Sequence, residues 1–332
     1  MHVVVTGAAG FIGSHTCEAL VAAGHRVTGV DAFDSYLYPA DVKRANAAEL
    51  GRLPGDRFQL IEADICDRVA MSAVMARGVD VVCHLAALAG VRPSLAEPLR
   101  YLRTNIEGTG VILEAMRAAR LQRLVFASSS SVYGAKPGAD LRAVAAFRED
   151  DPCLAPASPY AATKRMNELQ LSTYRDLYGL GVFALRFFTV YGPRQRPDMA
   201  IPKFTHAIAR GAPITLYGDG ESRRDYTFIA DIVRGVVAAI ERIAPARYEI
   251  VNLGGTATIS LRDLVAIIED VVGKPATIDW QPDQPGDVPV TYANIDRARA
   301  LLDYAPTTRP DAGIARYWAW LVERGAGRPM PA

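Results

Sequence analysis

The sequence predicts an α/β protein built around a doubly wound parallel sheet, with a smaller C-terminal α/β lobe. Short apolar runs alternate with helix-patterned stretches through the first half of the 332-residue chain, as successive βαβ units do. The first run, HVVVT, leads straight into GAAGFIG, where glycines close a turn and open a helix. After Thr189 the texture changes to dense Gly and Pro punctuation, from Gly192 and Pro193 to Gly218 and Gly220, which marks loops and short elements.

Strands are expected at His2 to Thr6, Arg26 to Asp31, Arg57 to Ile61, Val79 to Leu85, Arg123 to Ser128 and Val182 to Phe187. Runs this apolar suit strands covered on both faces. Helices are expected between them: Phe11 to Ala23, closed by Gly24 as a C-terminal cap, and Thr104 to Ala119. YEIVNLGG, Tyr248 to Gly255, reads as a strand returning to the main sheet; a helix over Leu261 to Val272 and a Pro-rich closing stretch follow. These elements divide the chain into a Rossmann-type domain over residues 1–188, with 226–255 returning to it, and a second lobe from 189–225 and 256–332. No internal repeat or low-complexity linker separates the two, so they interleave.

Thirty-seven Lys and Arg against 36 Asp and Glu leave a net charge of +1, and half the residues are hydrophobic. That balance gives no reason to expect nucleic acid or a membrane surface as partner. No apolar run approaches the ~20 residues of a membrane span, and no basic leader precedes the first strand, so a cytoplasmic protein is expected. Cys17, Cys66, Cys83 and Cys153 form no CxxC, and His2, His15, His25, His84 and His206 lack ligand spacing, so no metal site is expected. His84 ends an apolar run and reads as a packed core residue.

In GAAGFIG, Gly7 allows the tight turn, Gly10 admits a pyrophosphate close to the backbone, and Gly13 permits close helix packing; Phe11 and Ile12 open the helix whose N-terminus faces the phosphates. The spacing is GxxGxxG rather than GxGxxG, but it has the strand before it and the helix after it. Asp31 ends the next strand, where a carboxylate accepts both ribose hydroxyls of NAD and repels the extra phosphate of NADP. Asp64 and Ile65 follow the third strand and can edge the adenine; Asp64 can equally cap a helix.

Tyr160 and Lys164 share one face of a helix in YAATK. A free phenol ionises near pH ~10, so a neighbouring ammonium is what would make Tyr160 a base at neutral pH. ASSSSVYG, Ala127 to Gly134, follows a strand and offers hydroxyls to a reacting sugar oxygen.

Glycine loop, serine run and YxxxK in this order resemble the extended short-chain dehydrogenase/reductase family, specifically its nucleotide-sugar epimerases. Further stretches carry the resemblance: HLAA (His84 to Ala87), LRFFTVYGP (Leu185 to Pro193), RRDYTFIADI (Arg223 to Ile232) and QPGDV (Gln284 to Val288). Within that group the chain is most similar to UDP-glucuronate 4-epimerases. The resemblance implies NAD as cofactor and a UDP-sugar as substrate, with Leu85, Ala86 and Ala87 beside the dinucleotide. It implies Tyr160 as base, Lys164 as its tuning cation and ribose ligand, and Ser129 as the hydroxyl nearest the sugar 4-OH, with Ser128 and Ser130 as neighbours. It also implies a homodimer through a helical bundle. Related dehydratases and decarboxylases carry acids before VYG, where this chain has Ser130 and Ser131, so elimination and decarboxylation lack their usual carboxylate.

Between Arg186 and Arg224, seven Lys and Arg face three Asp and Glu, a local net of +4 that suits a carboxylated sugar diphosphate. The resemblance implies Arg224 as diphosphate ligand and Arg196 and Thr189 as carboxylate ligands, with Arg92 and Ser94 as additions. Asp287 is implied at a ribose. Tyr217 either lines the uracil pocket or packs as a core aromatic. Two departures stand out: the segment between Gly134 and Tyr160 is longer than usual, and Gln284 replaces an arginine. UDP-glucose, UDP-galactose or an N-acetyl analogue are the alternative substrates of a 4-epimerase; after these come a UDP-glucuronate decarboxylase and, from another class, a non-catalytic NAD-binding regulator.

Overall fold

The computed structural model describes residues 1–134, 145–282 and 288–325. Its first six strands, β1 (His2–Thr6), β2 (Arg26–Asp31), β3 (Phe58–Glu62), β4 (Val81–His84), β5 (Arg123–Ser129) and β6 (Gly181–Phe187), pair in parallel in one sheet. The chain then leaves the sheet through β7 (Thr189–Tyr191), β8 (Ile214–Tyr217), β9 (Arg223–Arg224) and β10 (Tyr226–Phe228). It comes back as β11 (Tyr248–Leu253), which runs parallel to β6, with Tyr248 opposite Val182 and Leu253 opposite Phe187. The finished order is β11-β6-β5-β4-β1-β2-β3. Strand order therefore reverses between β1 and β4, and a crevice lies beyond their carboxyl ends, where open sheets bind ligands.

Both faces of the sheet are covered, which is why its strands read as unbroken apolar runs. Alternate residues of β1 enter different cores: Val3 and Val5 join Leu20 of α1 (Phe11–Ala22), while Val4 joins Met71 of α3 (Arg68–Met75). Between these helices α2 (Ala40–Leu50) connects β2 to β3. Past β4 come α4 (Val91–Ala96), α5 (Pro98–Tyr101), α6 (Gly108–Ala118) and α7 (Pro159–Tyr178). Ile112 of α6 and Leu171 of α7 belong to the core that contains Val4. After α8 (Ala200–Arg210), α9 (Ile229–Arg242) sends Ile232, Val236 and Ile240 into the core shared with α1. α10 (Leu261–Val272), α11 (Asp296–Leu302) and α12 (Pro310–Glu323) complete the helices.

The smaller lobe holds short pairings: β8 with β13 (Ile278–Gln281), β7 with β10, and β9 between β12 (Ile259–Ser260) and β14 (Val290–Thr291). Asp225, between β9 and β10 and fully buried, ties the lobe together. Its carboxylate accepts from Gly255 N at 2.5 Å, Thr227 Oγ1 at 3.0 Å and Ala293 N at 3.1 Å.

Two expectations are corrected. The helix expected over Thr104 to Ala119 is π-helical at Leu102–Glu107 before it becomes α6. The Asn105 carbonyl accepts from the Thr109 hydroxyl at 2.6 Å and the Asn167 amide at 2.9 Å, and such competing acceptance widens the turn. The closing stretch is more than Pro-rich coil, since it contains α11 and α12. Pro310 at a first helical position, with Ile314, Tyr317 and Leu321 on the buried face, is the signal that reveals α12. His84 is the packed residue expected, with Nδ1 2.7 Å from Thr6 Oγ1 and Nε2 3.1 Å from Thr109 Oγ1. Burial and the Lys164 charge push it down to about 3, so it is neutral.

Candidate active site

The crevice between β1 and β4 is lined by the glycine turn. Gly7 has φ 72°, and a side chain there would put Cβ 2.8 Å from the Ala86 nitrogen. A Cβ on Gly13 would lie 2.0 Å from the Gly7 carbonyl oxygen, so helix α1 can seat this close only on glycine. α1 begins at Gly10 with no side-chain cap and no acid in its first turn, leaving its N-terminal N–H groups open to a phosphate. Leu85 N and Ala86 N donate to the Thr6 backbone and hydroxyl oxygens, which holds Leu85 to Ala87 against the turn.

Asp31 ends β2 with its carboxylate buried. Oδ2 accepts from Ala9 N at 3.0 Å and Oδ1 from Phe33 N at 2.9 Å, while burial raises its pKa. A carboxylate this poorly hydrated is suited to accept ribose hydroxyls. The cradle thus fits a dinucleotide with a free adenosine ribose. Asp64 is not a helix cap: it accepts from Cys66 N at 2.9 Å and pairs with Arg103, and Asp67 caps α3 instead. Ile65 is 5% exposed and fills the space beside Gly108, so its apolar body belongs to the core.

α7 starts where the sequence requires. The Ser158 hydroxyl accepts from Ala161 N at 3.2 Å and Pro159 takes the first helical position, which sets Tyr160 and Lys164 in the first two turns. Lys164 is 3% exposed, and Nζ donates to the Ala127 carbonyl at 2.7 Å. Burial drops its pKa to about 7, opposed by Glu168 one turn further on. The expected lowering of the Tyr160 phenol by Lys164 is corrected. Burial holds the phenol above its ordinary value, and what opposes burial is a hydrogen bond with Ser129 and the charge of Arg196.

Ser129 caps the short 3₁₀ turn Ser130–Tyr133. Its hydroxyl accepts from Ser131 N at 3.2 Å and donates to Ser131 Oγ at 3.0 Å. Ser130 is half-buried in the first position of that turn. Ser128 is corrected: its hydroxyl donates to Glu168 at 2.7 Å inside a buried ion pair, which gives it a structural task instead of a substrate contact.

Arg196 reaches the site from the far lobe. Nε and Nη2 grip Asp198 at 3.0 and 2.7 Å, and Nη1 donates to the Ala89 carbonyl at 3.4 Å. Thr189 opens β7, with its N–H on the Asp225 carbonyl at 3.1 Å. Arg92, expected near the sugar carboxylate, lies 4.8 Å over the Tyr217 ring, expected at the uracil, so those two expectations meet in one place. Ser94 is corrected, because it is fully buried and its hydroxyl donates to the Val91 carbonyl of its own helix at 2.6 Å. Arg224 Nη1 donates to the Arg223 and Pro289 carbonyls at 2.9 and 3.2 Å. Asp287, Gln284 and residues 138–144 of the long segment lie outside the described residues. The net of +4 is also less available than counted: Arg186 is a core residue of β6, Arg194 pairs with Glu18, and Arg196 pairs with Asp198.

Sequence reasoning missed Tyr101. Its ring meets Tyr160 edge-on with centroids 6.3 Å apart, and its hydroxyl donates to Ala89 O, the carbonyl that also takes Arg196. It missed Asn105, which accepts from Leu88 N at 2.8 Å and donates to Thr163 Oγ1 at 3.0 Å, stitching the crevice loop to α7. No local pattern marks either residue, since both act through partners distant in sequence.

Fold and site together define a Rossmann-type protein with a dinucleotide cradle, beside which a half-buried Tyr160 and a buried Lys164 share one helix. Residues 3–254 match the NAD dependent epimerase/dehydratase family, and the chain belongs to it. It is 40% identical to the UDP-glucuronate 4-epimerase of Thermodesulfobacterium geofontis over 323 residues, 96% of each chain. The crystal structure of UDP-glucuronic acid 4-epimerase from Bacillus cereus with UDP-glucuronic acid and NAD aligns with TM-score 0.90 at 37% identity, covering 98% of this chain and 100% of that one. UDP-glucose 4-epimerase from Thermotoga maritima with UDP-glucose aligns with TM-score 0.86 at 28% identity, covering 98% and 99%.

Proposed function

We propose that this protein is an NAD-dependent epimerase that inverts carbon 4 of a UDP-sugar, interconverting UDP-glucuronate and UDP-galacturonate. The observation that carries the proposal is that Tyr101 packs edge-on against Tyr160 while its hydroxyl shares the Ala89 carbonyl with Arg196, which brings the phenol and the guanidinium into one site, with Ser129 beside the phenol. A base, a hydroxyl partner and a cation for a carboxylated sugar share one site. Relatives with this activity in their names, matched over nearly the whole length, support the same reading.

The glycine turn, Asp31 and the Leu85 to Ala87 segment would hold NAD, which would accept hydride from carbon 4 and, once reduced, give it back. Tyr160 as phenolate takes the 4-OH proton while Ser129 hydrogen-bonds the same oxygen. Lys164, with a hydrogen bond to Ala127 and two further N–H directions, would hold the nicotinamide ribose. The 4-keto sugar turns about its diphosphate linkage, and Tyr160 returns its proton to the carbon-4 oxygen as hydride adds to the other face of carbon 4. Arg224 binds the diphosphate, Arg196 and Thr189 the sugar carboxylate, and Arg92 and Tyr217 close the nucleotide end. Ser131 donates no acid here; its hydroxyl accepts from Ser129, which supports epimerisation over elimination.

The division into a domain of 1–188 with 226–255 and a lobe of 189–225 with 256–332 puts the site between the two. The protein is a cytoplasmic homodimer: Met166, Leu169 and Leu177 expose an apolar stripe along α7 that a second copy would cover. Among the described residues no helix is long and apolar enough to cross a membrane. Tyr160→Phe is expected to lower turnover of UDP-glucuronate by ~10²–10⁴ while the sugar nucleotide still binds. Near-normal epimerisation by that variant would remove Tyr160 from the mechanism.

A further inference from the structure

Arg196 presents the planar fork that recognises a carboxylate, and in this structure a carboxylate already fills it. Asp198 takes Nε at 3.0 Å and Nη2 at 2.7 Å, the side-on arrangement a sugar carboxylate would adopt. The remaining Nη1 lies on Ala89 O at 3.4 Å. The guanidinium is 15% exposed and shares the Ala89 carbonyl with the hydroxyl of Tyr101, whose ring packs edge-on against Tyr160, so it stands at the reacting end of the site. No second strong acceptor is needed while Asp198 holds it.

Asp198 is built to let go. It sits in a turn closed by Met199 N on the Arg196 carbonyl at 3.2 Å, and its side chain is 29% exposed. Two residues on, α8 begins at Ala200 with an N-cap, Met199, that supplies no side-chain cap and with no acid in the first turn. A carboxylate released from Arg196 would stay beside the positive end of an 11-residue helix, where negative charge is favoured. Asp198 therefore has two hosts, Arg196 and the α8 terminus.

We propose that Asp198 is an internal stand-in for the substrate's carboxylate. On binding, a hexuronate exchanges with Asp198 on Arg196, and Asp198 turns to the α8 N-terminus. A sugar with an uncharged carbon 6 leaves the pair closed. The exchange rests on the reading of Arg196 as carboxylate ligand, and it sets specificity in two ways. It keeps the half-buried guanidinium from standing unpaired, and it weakens the apparent affinity for a uronate by the fraction of time Arg196 is free. An ion pair of this exposure is worth about 1 kcal/mol or somewhat less, roughly a fivefold factor in that fraction.

The test is titration calorimetry of the NAD-loaded enzyme with UDP-glucuronate and with UDP-glucose, for the wild type, D198N and D198A. Both variants are expected to bind UDP-glucuronate about fivefold more tightly, with affinity for UDP-glucose unchanged within twofold. If Asp198 only oriented Arg196, both variants would bind UDP-glucuronate more weakly; that result, no change, or an equal gain for both sugars overturns the proposal. Two variants guard against one that misfolds, and thermal unfolding verifies each. Turnover by the wild type reports separately on the proposed function, because a chain that bound UDP-glucuronate without epimerising it would fail that reading and still reveal the exchange.

Discussion

Replacing Glu168 with glutamine removes the acid from the most deeply buried ion pair among the described residues. Glu168 and Arg186 are 0% and 1% exposed. The carboxylate accepts from Arg186 Nε at 2.8 Å and Nη2 at 2.9 Å, from Ser128 Oγ at 2.7 Å and from Arg165 Nη1 at 3.1 Å. A glutamine keeps the volume but offers one acceptor oxygen and turns an amide toward a guanidinium that cannot shed its proton. Breaking a buried pair from one side costs ~3–5 kcal/mol, since the surviving charge is left without its partner. At an unfolding entropy of ~2.1 cal/mol/K per residue, a chain of 332 residues changes by about 0.7 kcal/mol per degree, so the expected fall in Tm is roughly 4–7 °C. Thermal unfolding followed by circular dichroism reads this directly. The double variant Glu168→Gln with Arg186→Met, which removes both charges, should recover most of the loss. A Glu168→Gln variant within 1 °C of the wild type, or a double variant no more stable than the single, would refute the reasoning.

Gly13→Ala should abolish NAD binding or prevent folding, because its Cβ would lie 2.0 Å from a backbone oxygen; fluorescence titration with NADH checks it, and normal affinity would contradict the cradle. Asp31→Asn should weaken NAD binding by about tenfold or more, the value of a hydrogen bond to a charged group, and narrow the preference over NADP, as read by calorimetry with both dinucleotides. Asp225 supplies a pH test. Burial pushes its carboxyl up to about 6, above the ~3.9 of an unfolded chain, so the folded state binds that proton more tightly. The stability it contributes is full below pH ~4 and is lost as pH rises through 6, by roughly 2–3 kcal/mol relative to Asp225→Asn. Urea unfolding of both proteins at pH 4, 5, 6 and 7 measures the difference, and a constant offset would contradict it.

Much of the fold was legible because the strands of a parallel sheet are covered on both faces and must be apolar throughout. β1 and β2 fall on the expected residues, and β11 returns to the main sheet as YEIVNLGG suggested. The glycine turn and the start of α7 were legible for another reason: backbone geometry there admits few residue types. What escaped was set by contacts between distant residues. The π-helical turn at Leu102–Glu107 arises from Thr109 and Asn167 sharing the Asn105 carbonyl, and no periodicity records that. Ser128 and Ser129 are adjacent in an identical-looking run, yet one serves a buried acid and the other faces Tyr160, a division made by strand alternation. Net charge misled for the same reason, since Arg186, Arg194 and Arg196 all have acidic partners that a local count cannot see.

In the proposed function, Tyr160 and its neighbours invert carbon 4 and leave the rest of the sugar nucleotide intact. Proton NMR of the purified protein with UDP-glucuronate tests it most directly. Signals of UDP-galacturonate are expected to grow in, with no net oxidation of the sugar and no loss of carbon dioxide. Appearance of a UDP-pentose would show that Ser130 and Ser131 do not exclude decarboxylation, and an unchanged spectrum with NAD bound would contradict the epimerase assignment itself.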